Sequence, residues 1–262
     1  GQNARPVPYF GNIWGWGGGA ISNYHAGTIE VTKRYSYGLT GTLGYTFSKS
    51  LDNSPGDFAA GYLGISTAPI DSYDISREYG SSTFDTTHRV ISSWVYEIPV
   101  GKGRHWRPSP LVNAFLGGWN LAGIVTWQTG FPVDARTQST RVFSFNNQNR
   151  PDRIKDGNLP SDQRSAARWF DTTAFTNPAD YQLGNSGRNV LRAPGLVNLD
   201  GTISKSFALR ERTALEFRAE FYNALNNVNL GPPNDFLGNP NFGQITSSRA
   251  ARQIQFALRA SF

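Results

Sequence analysis

Arg249-Ala250-Ala251-Arg252-Gln253-Ile254-Gln255-Phe256-Ala257-Leu258-Arg259-Ala260-Ser261-Phe262 is the stretch whose reading decides the fold. Ala250, Ile254, Phe256, Leu258, Ala260 and Phe262 take even positions, whereas Arg249, Gln253, Gln255, Arg259 and Ser261 take odd ones. Successive side chains of a strand leave on opposite faces, so the segment has one apolar and one polar face. It is longer than an average globular strand. It suits a strand crossing a bilayer at a tilt, which takes about 9–11 residues.

Composition agrees. Only 38% of the 262 residues are hydrophobic, 13% are aromatic, and there are 28 glycines and 15 prolines, a balance suited to many strands and turns. No apolar run approaches the roughly 18 residues a spanning helix needs, which excludes a helical membrane protein. A barrel survives this test because its strands hide their hydrophobicity in alternation. The length suffices for one large β domain or two smaller ones. Absence of Cys removes disulfides, thiolate catalysis and cysteine metal sites. Met is also absent and the chain opens on Gly1-Gln2-Asn3 without a signal peptide, as expected of a fragment or processed chain. The net charge of +6 comes from Lys and Arg scattered without a basic run, which reads as surface and lumen charge and not as a nucleic-acid footprint.

Six further segments repeat the alternation. Residues 27–35 set Ile29, Val31 and Tyr35 against Thr28, Glu30, Thr32 and Arg34; after a turn at Ser36-Tyr37-Gly38, residues 39–49 set Leu39, Leu43, Tyr45 and Phe47 against Thr40, Thr42, Thr46 and Ser48. Residues 89–98 oppose Val90, Trp94, Tyr96 and Ile98 to Arg89, Ser93 and Glu97, with Ile91 and Val95 blurring the contrast. Residues 119–133 oppose Trp119, Leu121, Val125, Trp127 and Phe131 to Asn120, Thr126 and Gln128. Residues 197–207 oppose Val197, Leu199, Ile203 and Phe207 to Asn198, Asp200, Thr202, Ser204 and Ser206. In residues 213–225, Leu215, Phe217, Ala219, Phe221 and Leu225 oppose Glu216, Arg218, Glu220 and Tyr222. Such repetition predicts an all-β fold of about seven long antiparallel meander strands.

With Phe262 on the periplasmic side, residues 36–38 and 208–212 become short inner turns, and the connections near 50–88, 134–196 and 226–248 become long outer loops. That asymmetry belongs to transmembrane barrels. The connection 99–118 breaks it, being long on the inner side, with a short helix expected around Leu111 to Leu116. Trp94, Tyr96, Trp119, Trp127, Phe131 and Tyr222 cluster near strand ends, as interfacial girdles do, although β-propensity alone also enriches aromatics. Glu30, Arg34, Arg89, Glu97, Glu216, Arg218, Glu220 and Arg259 all fall on the polar face. Facing a wet lumen or a plug they can pair across strands, and their mixed sign suits a filling network more than a one-sign selectivity ring.

The loop 134–196 is rich in polar residues and proline, as in Asn146-Asn147-Gln148-Asn149-Arg150-Pro151-Asp152-Arg153, and a helical turn from Ser161 to Trp169 with Ser161 as cap is expected within it. Long loops commonly carry function, so ligand contact is expected here. Asp152, Asp156 and Asp162 fit no calcium-loop spacing, and Asp156-Gly157-Asn158 reads as a solvated turn. His25, His88 and His105 sit apart without ligand spacing, and neither G-x-S-x-G nor H-E-x-x-H occurs. His88 near Asp85 is the nearest approach to a catalytic pair; Ser92 falls on the lipid side. Gly15-Trp16-Gly17-Gly18-Gly19-Ala20 lacks the strand and helix of a phosphate cradle. No catalytic, cofactor or metal residue is assigned.

Asn23-Tyr24-His25-Ala26, Tyr45-Thr46-Phe47-Ser48-Lys49-Ser50-Leu51-Asp52, Phe84-Asp85-Thr86-Thr87-His88-Arg89, Gly117-Gly118-Trp119-Asn120-Leu121, Gln128-Thr129-Gly130-Phe131-Pro132, Arg168-Trp169-Phe170-Asp171 and Phe217-Arg218-Ala219-Glu220-Phe221-Tyr222-Asn223 are similar to the TonB-dependent receptor superfamily. The closest resemblance is to its Oar-like branch. Phe256, Leu258, Ala260 and Phe262 also resemble the C-terminal assembly signal of bacterial outer-membrane barrels. The resemblance implies a barrel of about 22 strands, filled by a plug and energised from the inner membrane. It also implies a carboxypeptidase-regulatory-like domain N-terminal to the plug. None of the plug, the energy-coupling box or that domain is visible in these residues, so 1–262 is expected to be the C-terminal part, an incomplete barrel. Implied partners are outer-membrane lipid, the barrel assembly machinery, the plug, an inner-membrane energy-coupling protein and a bulky solute, with no nucleic acid. The expectation is a non-enzymatic receptor-transporter segment in the bacterial outer membrane. A passive porin, a soluble β-sandwich adhesin or binding module, and a barrel-embedded hydrolase are the rivals.

Overall fold

The computed structural model describes residues 18–54, 69–71, 73–101, 106, 109–138, 148–210 and 213–262. Seven long strands form one antiparallel meander in chain order: β1 (Ser22–Ser36), β2 (Leu39–Asp52), β3 (His88–Glu97), β4 (Trp119–Gln128), β5 (Leu196–Arg210), β6 (Thr213–Tyr222) and β7 (Gln253–Ser261). Gly80–Ser81 adds a short segment beside the end of β2. Each long strand bonds its sequence neighbours, and β1 and β7 are the two edges, so the sheet is open.

Register fixes the faces. One row across the sheet runs Lys33, Gly41, Trp94, Gly123, Gly201, Phe221 and Ile254, on the side that carries most of the apolar side chains. Trp94 lies across its glycine neighbour: a Cβ on Gly123 would stand 2.6 Å from Cζ2 of the indole. Absence of a side chain on β4 is what lets the ring lie flat. The next row, Thr42, Ser93, Ile124, Asp200, lies on the polar side, which explains how Ile91 and Val95 come to share a face with Arg89 and Glu97.

Bulges sit beside both short turns. Lys33 pairs with Gly41 and Ser36 with Leu39, so Arg34 and Tyr35 together oppose Thr40. This extra residue turns Tyr35 to the polar side, where its hydroxyl donates to Glu97 Oε2 at 2.8 Å. Strict alternation places Tyr35 on the apolar face; the bulge overturns that. The hairpin closes through Tyr37 and Gly38, both at positive φ (51° and 81°), the pair of conformations that a two-residue turn matched to strand twist demands. A second register shift lies between Ala208 and Arg210.

Several strand ends differ from the alternation. β4 stops at Gln128 because the backbone of Ala193 and Pro194 passes so close to Gly130 that no Cβ would fit; Pro132–Val133 then pairs with Leu191–Arg192 instead. β6 stops at Tyr222 because Asn223 turns to φ 50° and gives its N–H to Asp200 Oδ1 at 2.9 Å. β7 begins at Gln253, since Arg249 and Arg252 spend their N–H groups on Asn229 and Asn226 in the loop. Ser161 does not cap a helix to Trp169: only a 3-10 turn, Ser161–Gln163, forms after Pro160. Asp162, Gln163, Arg164 and Ser165 offer no apolar stripe to bury, and a short helix without one does not propagate. The 99–118 connection does contain a helix, α1 (Pro110–Leu116).

The apolar core lies in the outer loops and not between sheet layers. Val133, Ala135, Phe170, Ala174, Phe175 and Leu191 are buried together. Phe242 from the last loop joins them, its ring 5.1 Å from Phe170 and 6.1 Å from Phe175, both edge-on. Meanwhile Ile29, Val31, Phe47, Ile254, Phe256 and Leu258 on the sheet stay exposed.

Substituting Gly123→Val should therefore push Trp94 off its seat and lower the thermal stability of the folded barrel by an amount typical of overpacking, about 1–3 kcal/mol. The temperature at which the folded band is lost on unheated gels reads this directly; an unchanged temperature would show that the indole does not need the glycine.

Candidate functional site

The outer loops fold back onto the polar face at the outer end of β2. Ser48, Ser50 and Asp52 point to that face and are buried there. Ser48 Oγ donates to the Thr86 carbonyl at 2.8 Å, and Ser50 Oγ meets Ser82 Oγ at 2.8 Å. Three arginines of the long loop hold this cap to the rim. Arg150, with 3% of its side chain exposed, is forked between Glu78 and Asp134; Nη2 donates to Glu78, and Nε reaches Asp134 Oδ2 at 3.2 Å. Arg188 donates to Asp52, the last residue of β2, and to the Ser81 carbonyl at 3.1 Å. Arg192 Nη2 donates to Asp85 Oδ2 at 2.6 Å, while Asp85 also accepts from the Ser50 amide at 2.7 Å and from Lys49 Nζ at 3.2 Å.

The electrostatics follow from these contacts. Burial, the largest influence on Asp85, acts to raise its pKa; the Ser50 amide, Arg192 and Lys49 together outweigh it and hold the carboxyl below its ordinary value. At Asp134 burial prevails, and the carboxyl sits above the ordinary range despite Arg150 and the Asn189 amide. Asp171, fastened first by Lys155 and then by Thr173, is lowered to about 2. Arg136 and Asp235 make a bidentate pair at 2.9 and 2.8 Å that ties the long loop to the last one. These charges serve the cap's own architecture.

Below the cap, the polar face forms a trough of about 630 Å³ whose lining includes Thr42, Ser93, Ile124, Asp200, Thr202 and Glu220. A smaller recess of about 400 Å³ at the outer end includes Phe131, Pro194, Leu230 and Arg249. Carbon makes up most of the trough's surface, with the hydroxyls of Thr42, Ser93 and Thr202 and the carboxylates of Asp200 and Glu220 set into it.

The eight charges singled out from the sequence share this polar face but do not form one network. Arg218 binds Glu216 at 2.9 Å and Glu220 at 3.6 Å, both on its own strand. Glu216 and Arg259 stand directly opposite in register, yet no ion pair joins them among the described residues. Residues two apart on a strand share a face within reach of a guanidinium, and here that contact replaces cross-strand pairing. Glu30 accepts from Thr32 at 3.3 Å, Glu97 accepts from Tyr35, and Arg34 and Arg89 lie on the same face. Phe256, Leu258 and Ala260 occupy the apolar side of β7 opposite Ala219, Phe217 and Leu215, and Phe262 follows the strand.

Other candidates resolve locally. His88 Nδ1 meets Tyr45 Oη at 2.9 Å and its ring lies among Tyr45, Phe47 and Trp127, whereas Asp85 faces Arg192 and Lys49; the two form no pair. Asp156 accepts from the Asn158 amide at 3.1 Å, closing the turn, and bonds Arg153 at 2.7 Å. No cluster of three or more metal-ligating side chains occurs among the described residues. His105, Asn146, Asn147 and Gly15 to Gly17 lie outside the described residues. What sequence reasoning missed is the arginine clamp, whose partners stand 72, 107 and 136 residues away along the chain.

The family model described as an outer membrane beta barrel domain matches residues 1–255. The chain belongs to this family. No curated protein and no solved structure was found to match. An outer membrane beta barrel domain resides in the bacterial outer membrane, where the apolar face of each strand meets hydrocarbon. Two aromatic clusters of that face lie at opposite strand ends, with Trp94 and Phe221 between them in the row of Gly123. Tyr45, Phe47, His88 and Trp127 pack at the loop end; Trp119, Phe217 and Phe256 pack at the turn end, with ring centroids 6.2 and 6.3 Å apart. Trp119 and Trp127 are separated along β4 by about 26 Å, which at a strand tilt of about 35–45° rises roughly 18–21 Å, within a barrel's apolar band of about 25 Å.

Replacing Arg150 with Met would leave Glu78 buried without its counter-charge, a loss of about 3–5 kcal/mol. The expected result is a cap that opens locally: protease cuts appear in residues 129–195 while the strands stay protected, and Arg150→Lys restores part of the protection. Wild-type resistance in Arg150→Met would show that the clamp does not hold the cap.

Proposed function

We propose that this domain is the C-terminal part of a TonB-dependent-receptor-like barrel of the Oar-like type, a non-enzymatic receptor-transporter whose outer loops capture a bulky solute. A saccharide, a peptide or a chelated metal would suit the loops. One observation carries the reading: Arg150, Arg188 and Arg192 fasten the long loop to the 50–88 connection and to the end of β2 on the polar face. A capped mouth suits capture followed by gated passage. The trough below would line or grip a plug, with Glu30, Arg34, Arg89, Glu97, Glu216, Arg218, Glu220 and Arg259 as lumen charges. Unpaired edges at β1 and β7 cannot stand in hydrocarbon, so further strands are required to close the wall. The apolar side of β7, with Phe256, Leu258 and Ala260, and the adjoining Phe262 would be read by the barrel assembly machinery.

A passive porin would share the fold. The trough by itself would serve it equally well. Planar-bilayer recordings on the full-length protein separate the two. A plugged receptor gives no steady ohmic current, and solute accumulation in cells stops when the proton gradient is collapsed. Steady, ungated conductance with uptake indifferent to the gradient would establish the porin instead.

A further inference from the structure

The helix α1 exposes the wrong side for a helix in water. Leu111 and Phe115, one turn apart, are 79% and 75% exposed, and Val112 and Leu116 are exposed beside them. Asn113 is the helix's one polar side chain and is half-buried, its amide lying against the backbone of Gly101 and Gly117. No acidic residue lies in the first turn and no basic one in the last. A helix that turns its polar residue inward and its apolar residues outward is built for an apolar surrounding.

Its place in the fold says which. Lys205 of β5 lies on the apolar face, paired in register with Trp119 and Phe217. A bare ammonium there would face hydrocarbon at high cost. Instead Lys205 is buried beneath the last turn of α1, donating to the carbonyls of Ala114 at 2.5 Å and Phe115 at 3.0 Å and lying 5.4 Å from the Trp119 ring and 4.8 Å from that of Phe207. Trp119 Nε1 donates to the same Phe115 carbonyl at 2.8 Å. The C-terminal carbonyls of a helix have no intrahelical donor and carry partial negative charge, so an ammonium satisfies them and they satisfy it. α1 is thereby fastened to the outside of the barrel wall, at the end of the short turns, continuous with the apolar surface of Phe217, Phe256 and Leu258.

We propose that α1 is an interfacial anchor, seating Leu111 and Phe115 among the phospholipids of the inner leaflet where the wall meets the periplasm. Lys205 positions it by holding its last carbonyls. The proposal rests on the membrane location and not on the transport reading. It also accounts for the long connection on the side where turns are otherwise short: the added length builds a foot that lies in the headgroup boundary.

None of the 262 residues is a cysteine, so no thiol in this domain competes with a single introduced one. An environment-sensitive fluorophore on Phe115→Cys is read in the intact protein, reconstituted into vesicles of phosphatidylethanolamine and phosphatidylglycerol. Leu258→Cys serves as the lipid-facing reference and Asp162→Cys as the water-facing one. The expected result is quenching of the Phe115 probe by a nitroxide placed high on the acyl chain, at least about twofold stronger than for Asp162→Cys, with iodide quenching reduced by a similar factor. Iodide quenching equal to that of Asp162→Cys would place the helix in water and overturn the proposal. Protection from both quenchers would put a protein surface over the helix and overturn it equally.

Discussion

Backbone hydrogen bonding in hydrocarbon is the constraint on which everything else in this structure depends. A strand crossing a bilayer has no water to satisfy its N–H and C=O groups, so each must be bonded by a neighbour. The antiparallel meander meets that demand strand by strand, and once pairing is fixed every side chain is assigned to one of two faces. From the row Gly41, Trp94, Gly123, Gly201, Phe221, Ile254 to the row Thr42, Ser93, Ile124, Asp200, one residue's step changes the medium. Among the described residues, bulges in the long strands lie only beside the short turns, at the margin of the membrane, where Tyr35 changes sides.

The same constraint explains where the buried core lies. A wall with lipid on one side cannot bury its apolar side chains against a second layer of the same chain, so Phe256 and Leu258 stay exposed. Tight packing moves to the loops, where Phe170, Phe175 and Phe242 meet edge-on and water is the alternative solvent. There the polar groups are engaged with one another: Asn149 Oδ1 accepts from the Arg150 and Gly184 amides, and Asp134 accepts from Arg150 and Asn189. A buried charge pair contributes little net stability against an apolar replacement, but removing one partner is costly. The clamp is therefore better understood as fixing where the loops sit than as a source of stability.

All seven long strands were legible in the sequence, because period-two alternation is a local property that needs no knowledge of partners. Their ends were less so. β4 stops where Gly130 meets the backbone of Ala193, and β7 starts only after Arg249 and Arg252 have been spent on loop residues; both events depend on distant chain. The cap was not legible at all, since Arg188 and Asp52 are brought together only by folding. Lys205 was missed for a different reason: it interrupts the apolar face of β5, and only the helix above it makes that position tenable. The cue was present, because a lone charge on a lipid-facing series asks for a cover, and the one unexplained connection was available to provide it.

Nitroxide labels placed one at a time from Asn198 to Ser204 on β5 test the central claim most directly, by comparing collision with oxygen, which concentrates in lipid, against a water-soluble nickel chelate. The account predicts oxygen maxima at Leu199, Gly201 and Ile203 and minima at Asp200, Thr202 and Ser204, in strict period two. A flat profile, or maxima at Thr202 and Ser204, would contradict it.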